Sequence, residues 1–203
     1  MEILDLRQVR SRDLELLLEE ENRLWREQLR WDYSSSSDLI RRFVDARQLA
    51  GYAALEGGRA VGYSFFIYEE GKGLIGNLFV SGPYSGGTEG RLLTHVIETM
   101  QATPGIRRIE AQLMTFGAGS LETTFQREHF QAYGRQFMML ELDPAGALAT
   151  RALPEVEIVP WQSRYFDEAA GLIALAYRDH VDSEINVQYR TLPGAIRFLK
   201  NII

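Results

Sequence analysis

From residue 49 to residue 80 the apolar and aromatic residues fall into three short runs parted by glycine, and after residue 91 they change to a helical repeat. The runs 49–55 and 60–68 are joined through Gly57-Gly58, and Gly71 and Gly73 separate the second run from 74–80. Such runs, closed by glycine turns, predict an antiparallel meander of three strands. Leu92, Leu93, Val96, Ile97 and Met100 then lie at i, i+1, i+4, i+5 and i+8, the stripe of an amphipathic helix that Pro104-Gly105 stops. A meander that gives way to a helix belongs to the α+β class.

The flanks extend this frame. Residues 3–9 read as a short strand, and Ser11 as the N-cap of a helix carrying Leu14, Leu17, Leu18, Leu24 and Trp25 on one side. Its opposite face is acidic, and the run Glu19-Glu20-Glu21 reads as a hydrated surface. Residues 34–37 read as a polar loop, with Asp38 opening a second helix on Leu39, Ile40, Phe43 and Val44. Further on, Ile109, Ala111 and Leu113 alternate with Arg108, Glu110 and Gln112 as in a strand. Ser120 is placed to cap a short helix reaching about His129, and residues 136–142 read as a closing strand.

This organisation gives a domain over residues 1–142 and a linker over 143–154, where Pro, Gly and Ala replace the periodic patterns. Residues 155–203 then repeat the opening strand-helix-helix. At a constant offset of 155, Glu157-Ile158-Val159 falls on Glu2-Ile3-Leu4, Trp161 on Leu6, and Phe198-Leu199 on Phe43-Val44. A repeat of that period indicates a duplicated domain. Ile203 then corresponds to Gln48, so the expectation is a second domain cut short after its opening elements.

Composition narrows the function. The 203 residues include 22 Lys and Arg against 28 Asp and Glu, a net charge of −6, which opposes nucleic-acid binding through a general positive field. Without cysteine there is no disulfide, thiolate metal site or cysteine nucleophile, and three scattered histidines have no metal-ligand spacing, so no metal is expected. The N-terminus lacks the stages of a signal peptide and no apolar run is long enough to span a bilayer, so a cytoplasmic protein without a membrane partner is expected.

The chemistry is carried by residues 78–93, a strand, a glycine-rich turn and the start of a helix. Amides at a helix N-terminus, the helix dipole and glycine's missing Cβ together favour a close anion. The spacing is neither G-x-x-x-x-G-K-[ST] nor G-x-G-x-x-G, which excludes a P-loop and a dinucleotide fingerprint.

The element order, with Leu78-Phe79-Val80, Pro83, Tyr84, the segment Ser85-Gly86-Gly87-Thr88-Glu89-Gly90 and the pair Leu92-Leu93, resembles the GNAT superfamily of acyl-CoA-dependent N-acetyltransferases over roughly residues 1–142. The resemblance implies three layers, α/β/α, around a mixed, mostly antiparallel central sheet whose strands 78–80 and 109–113 are parallel neighbours splayed at one end. It implies acetyl-CoA as co-substrate and a small-molecule or peptide amine as acceptor. By the same resemblance the pyrophosphate lies against Ser85, Gly86, Gly87, Thr88, Glu89, Gly90 and Arg91, and the pantetheine arm against backbone at Phe79 and Val80. The chain departs from the family pattern at Ser85, where the family has Gln or Arg, and at Thr88, where it has Gly. Glu89 adds a carboxylate beside the diphosphate that Arg91 offsets.

Many members carry a tyrosine general acid about five residues before a Gly-Phe pair. Here the pair corresponds to His129-Phe130, and the acid position is Phe125, which has no proton to give. Candidates for proton transfer are therefore Tyr133 and Glu110, with Asn77 on the neighbouring strand as a second residue to hold a water. Trp25 and Trp31 either line an acceptor pocket or pack in the core. Two functions are expected from the resemblance. One is acetyl transfer by this domain; the other is a non-catalytic module that supports, dimerises or regulates a C-terminal catalytic domain.

Overall fold

The computed structural model describes residues 1–69, 71–114, 116, 121–141 and 156–202. They divide into two units, Met1–Gln131 and Ala132–Ile203, each taken by itself.

A five-stranded sheet organises the first unit, in the order β1 (Glu2–Asp5), β2 (Ala50–Glu56), β3 (Arg59–Glu69), β4 (Lys72–Val80) and β5 (Arg108–Ala111). β1 to β4 pair antiparallel, and β5 joins β4 in parallel. Gly57 and Gly58 turn β2 into β3 with φ of 58° and 80°, the left-handed pair that a two-residue hairpin requires. One helical pair, α1 (Glu15–Leu29) and α2 (Ser34–Asp45), separates β1 from β2; α3 (Thr88–Ala102) joins β4 to β5, and α4 (Leu121–Arg127) follows.

Two apolar clusters fill the two faces of the sheet. Leu14, Leu17, Leu18, Ile40 and Val44 of the first helices pack with Ala53, Tyr63 and Phe79. Leu92, Leu93, Val96, Ile97 and Met100 of α3, with Leu121 of α4, pack with Val61, Phe66, Ile75 and Leu78. The result is the α+β, three-layer arrangement with a mixed, mostly antiparallel sheet. At Gly51 the layers leave no room for a side chain, since a Cβ would stand 2.2 Å from the Ser64 carbonyl oxygen and 2.7 Å from the Phe65 Cα. Those are backbone atoms of a paired strand. Gly51→Ala is therefore expected to destabilise the first unit by about 1–3 kcal/mol, read as a lower denaturation midpoint at unchanged m-value.

Between β3 and β4 the register shifts from Phe65↔Asn77 to Phe66↔Ile75, so Gly76 is the extra residue of a bulge. The Phe65 ring lies over Gly76, where a Cβ would stand 2.1 Å from Cε2. β5 pairs with β4 only from Lys72↔Arg108 to Ile75↔Ala111, whereas β3 follows β4 up to Val80↔Gly62. Beyond the bulge, among the described residues, β4 thus keeps a ladder partner on one edge alone. The two strands expected to be parallel neighbours are so, and their pairing stops partway.

Several local expectations are corrected. The first strand ends at Asp5, not at Val9, because the Asp5 carboxylate accepts the Arg7 amide (2.9 Å) and starts a 3-10 turn, Leu6–Gln8. Ser11 is no N-cap; it lies in the 3-10 turn Ser11–Asp13, and its hydroxyl donates to Asp45 (2.7 Å). Residues 34–37 are the first turn of α2, not a loop. The Asp32 carboxylate accepts the Ser34 amide (3.1 Å), and Ser37 reaches Asn22 (3.1 Å). The fifth strand stops at Ala111, short of Leu113. Residues 136–141 form no strand, since a strand exists only where another takes up its amides and these residues lie outside the five-strand ladder. Ser120, Leu142 and the linker 143–154 lie outside the described residues.

The second unit is helical: α5 (Phe166–Ala176), α6 (Val181–Ile185) and α7 (Leu192–Ile202). Ala170, Ala195 and Leu199 form its buried centre, and Tyr189 stacks on Tyr177 while meeting Phe198 edge-on. The strand expected over residues 157–159 is absent for the same reason as that over 136–141: Ile158, 93% exposed, has no ladder to join.

Candidate functional site

β4 delivers the chain into the glycine-rich segment. Gly82–Tyr84 is a 3-10 turn with Pro83 in its first turn, and α3 starts at Thr88. The Gly86 and Gly87 amides point at an anion, and that anion is the chain's own. Glu89, only 5% exposed, accepts from Gly86 N (3.1 Å) and Gly87 N (3.4 Å). A carboxylate two residues into a helix suits the dipole there. Upstream, Glu20 of α1 accepts the Ser81 hydroxyl (2.7 Å) and the Gly82 amide (3.2 Å). Thr88 is buried and its hydroxyl donates to Met1 Sδ (3.3 Å).

Beside this segment, α3 and α4 enclose a cleft of about 450 Å³ lined by Gly87, Gly90, Arg91, His95, Thr124 and Arg127. A Cβ on Gly90 would stand 3.3 Å from Thr124 Oγ1, so glycine lets the two helices close, while Gly86 and Gly87 face open space. Arg127 is anchored on Thr94 (3.2 Å) and Glu128 (3.3 Å). The guanidiniums of Arg91 and Arg127 thus stand beside exposed glycine backbone, with the buried Glu89 carboxylate at the head of the same helix.

On the other face of the sheet, where β4 has lost its β5 partner, a polar network is buried. Tyr63 of β3 donates to Glu21 Oε2 (2.5 Å), and Asn77 of β4 donates to Glu21 Oε1 (2.8 Å) and the Tyr63 hydroxyl (2.8 Å). The hydroxyl of Tyr33, half-buried before α2, lies 3.3 Å from Asn77 Nδ2. Trp25 Nε1 reaches Glu21 Oε1 at 3.4 Å, and its ring stacks on Tyr33 (4.7 Å between centroids, planes 3° apart) with Phe116 edge-on at 5.4 Å. Burial holds the Glu21 carboxyl above its ordinary range, against the pull of the Tyr63, Asn77 and Trp25 donors. Burial and the nearby Glu21 charge raise both tyrosines as well.

Asn77 therefore sits where β4 opens, and Trp25 joins the network while Trp31 is exposed. Glu110 is held by Arg108 (2.7 Å) and Lys72 (3.4 Å) at the paired end of β4 and β5. Tyr133 falls in the second unit, on a stretch without regular structure. Phe125 packs edge-on against Phe130 (5.0 Å), and His129 between them in sequence adopts φ 61°, the left-handed conformation that glycine favours after a helix. Glu21 and Tyr63 were missed. The expected hydrated face is corrected at Glu20, which caps a turn, and at Glu21, which is 1% exposed. Spacing held the signal for the latter: Glu21 follows Leu17 and Leu18 by four and three residues and precedes Trp25 by four, so it continues the apolar stripe. Among the described residues no cluster of metal-ligating side chains occurs, and no helix is long and apolar enough to cross a membrane.

No protein-family model matches the chain, and no curated protein matches it. Among solved structures it is similar to a possible acetyltransferase from Clostridium difficile 630, at 14% identity over 70% of this chain and 97% of that one (TM-score 0.48). It is similar to a ribosomal-protein-alanine N-acetyltransferase from Brucella melitensis, at 17% identity over 66% and 86% (TM-score 0.49). A third similar structure is AAC(6')-Iy in complex with a bisubstrate analog, CoA-S-monomethyl-acetylneamine, at 17% identity over 70% and 98% (TM-score 0.44).

Proposed function

We propose that the first unit is a GNAT-type N-acyltransferase domain that passes an acyl group from acetyl-CoA to the amine of a small molecule or peptide. The observation that carries this reading is the open edge of β4, which runs from the Gly76 bulge into the glycine-rich turn and the start of α3. A pantetheine arm carries two amides, and an unpartnered strand edge offers them backbone donors and acceptors. In this reading backbone at Phe79 and Val80 binds that arm. The segment from Ser85 to Arg91, with Arg127, takes the diphosphate. Acetyl-CoA supplies an activated thioester: the amine nitrogen forms the new C–N bond, the C–S bond breaks, and the chain positions the two and takes up a proton.

One observation favours a second reading, a non-catalytic module of the same fold. Glu89 already occupies the Gly86 and Gly87 amides, and Phe125 stands where the family places a general acid. In either reading residues 155–203 are taken as the repeated opening of another such domain. Its 3-10 turn Ser163–Tyr165 runs directly into α5, much as Ser11–Asp13 runs into α1.

Titration calorimetry of the whole chain with acetyl-CoA separates the readings. Saturable binding weaker than about 10 μM, with CoA released when an amine panel is added, is the expected result. No heat at millimolar acetyl-CoA leaves the non-catalytic module.

A further inference from the structure

The chain has a net charge of −6, yet no carboxylate lines the cleft between α3 and α4. Arg91, Thr94 and His95 enter it from α3, and Thr124 and Arg127 from α4. Arg91 and His95 are four residues apart and so stand one above the other on one face of the helix. Arg127 reaches across from α4, its Nη2 donating to Thr94 Oγ1 at 3.2 Å. Its Nε donates to Glu128 at 3.3 Å, and among the described residues Nη1 makes no hydrogen bond.

His95 is held in place but not used. Its ring meets that of Tyr52 (5.4 Å between centroids, planes 39° apart), and the Tyr52 hydroxyl is itself bonded to Thr99 Oγ1 at 2.6 Å. Among the described residues neither ring nitrogen of His95 has a hydrogen-bond partner, and the Arg91 guanidinium has neither a hydrogen bond nor an ion pair. The cleft thus offers three side chains whose donors are not spent within the protein.

Its length matters as well. From Gly87 to His95 the cleft follows α3 for about 12 Å, at about 1.5 Å per residue. A diphosphate, two phosphorus atoms bridged by one oxygen, is too short to engage both ends. A ligand that meets the donors along the whole cleft carries a second anionic group beyond a neutral spacer. Coenzyme A has that form, because a ribose separates its diphosphate from a 3′-phosphate monoester of roughly −1.5 to −2 charges.

We propose that Thr94, His95 and Arg127 form a phosphate-monoester site at the end of the cleft away from Gly87, and that its ligand is the 3′-phosphate of acetyl-CoA. The choice of ligand rests on the acyltransferase reading; the site itself does not. Thr94 Oγ1 accepts from Arg127 and so keeps its own hydrogen for a phosphate oxygen, while Arg127 Nη1 and the His95 ring supply further donors. No bond forms or breaks there. The site selects coenzyme A over its dephosphorylated form.

The test is titration calorimetry of the whole chain with acetyl-CoA and with acetyl-dephospho-CoA, for the parent, His95→Gln and Arg127→Gln. Arg127 has a side chain 63% exposed and His95 is exposed too, so neither substitution disturbs the core. The parent is expected to bind acetyl-CoA about tenfold to a hundredfold more tightly than the dephosphorylated form. That ratio is expected to fall to about threefold or less in each variant. Arg127→Gln also weakens both coenzymes, and the ratio isolates the monoester. A ratio that survives both substitutions overturns the site. A second arm adds inorganic phosphate and follows the His95 ring resonances, assigned among three histidines with His95→Gln. Equal affinities for the two coenzymes, with phosphate shifting His95 in the parent but not in Arg127→Gln, keep the site and give it to a separate phosphorylated ligand. Equal affinities with no phosphate effect overturn the site and leave the acyltransferase reading standing. Binding of phosphate but of neither coenzyme removes the acyltransferase reading alone, and binding of none of the three overturns both.

Discussion

Glu21→Ala is expected to lower the stability of the first unit by roughly 3–5 kcal/mol, enough to leave a domain of ordinary marginal stability largely unfolded. The change opens a cavity between α1 and the sheet and strips partners from Tyr63, Asn77 and Trp25 at once. Each buried donor left unpaired costs about 1–3 kcal/mol. Glu21→Gln keeps volume and an acceptor, so it isolates ionisation. Because burial raises the folded carboxyl above its ordinary 4.5, the folded chain holds a proton that the unfolded chain has already lost. The stabilisation from that proton is complete below about pH 4.5 and is lost as pH rises through the folded value. Melting temperatures of the parent should therefore fall over that window relative to those of Glu21→Gln, the gap widening towards alkaline pH. Parallel curves would show Glu21 to be solvated like a surface carboxylate.

Elements whose identity is set by their own repeat were legible in the sequence. The meander and α3 lie where period and glycine turns place them, because Gly57-Gly58 can close only a tight hairpin and Leu92 to Met100 can face a sheet only as a helix. Residues whose state depends on a distant partner were not. Ser34 to Ser37 look like a loop until Asp32 and Asn22 supply their bonds. Residues 136–141 carry an apolar run of strand length, yet such a run cannot provide the neighbouring edge. The candidate site divides in the same way. The glycine-rich turn was visible as a contiguous motif, and Glu89 was already out of place in it. The Glu21 network joins α1, β3, β4 and the turn before α2, and only the fold brings residues 21, 33, 63 and 77 together. For Glu21 the helical spacing was present, but the acidity of its neighbours Glu19 and Glu20 masked it.

Glu89→Gln is expected to tighten acetyl-CoA binding by about tenfold to a hundredfold, or roughly 1.4–2.8 kcal/mol. The carboxylate holds the Gly86 and Gly87 amides in a buried position at the head of α3, where an arriving diphosphate must either displace it or lie against it. Displacement breaks two charge-assisted bonds, and juxtaposition sets like charges together where water screens them poorly. Glutamine can still accept from the same amides, so the turn keeps its shape while the repulsion goes. Arg91 and Arg127 in the adjoining cleft then act on the ligand without the Glu89 charge opposing them. The comparison is calorimetry of parent and variant at two salt concentrations. The parent's deficit should shrink as salt rises, because repulsion is screened, whereas a deficit due to shape alone would not change. Equal affinities for parent and variant would mean that the diphosphate does not lie at Gly86 and Gly87, and the anion site would then have to be sought elsewhere along the Arg91–Arg127 cleft.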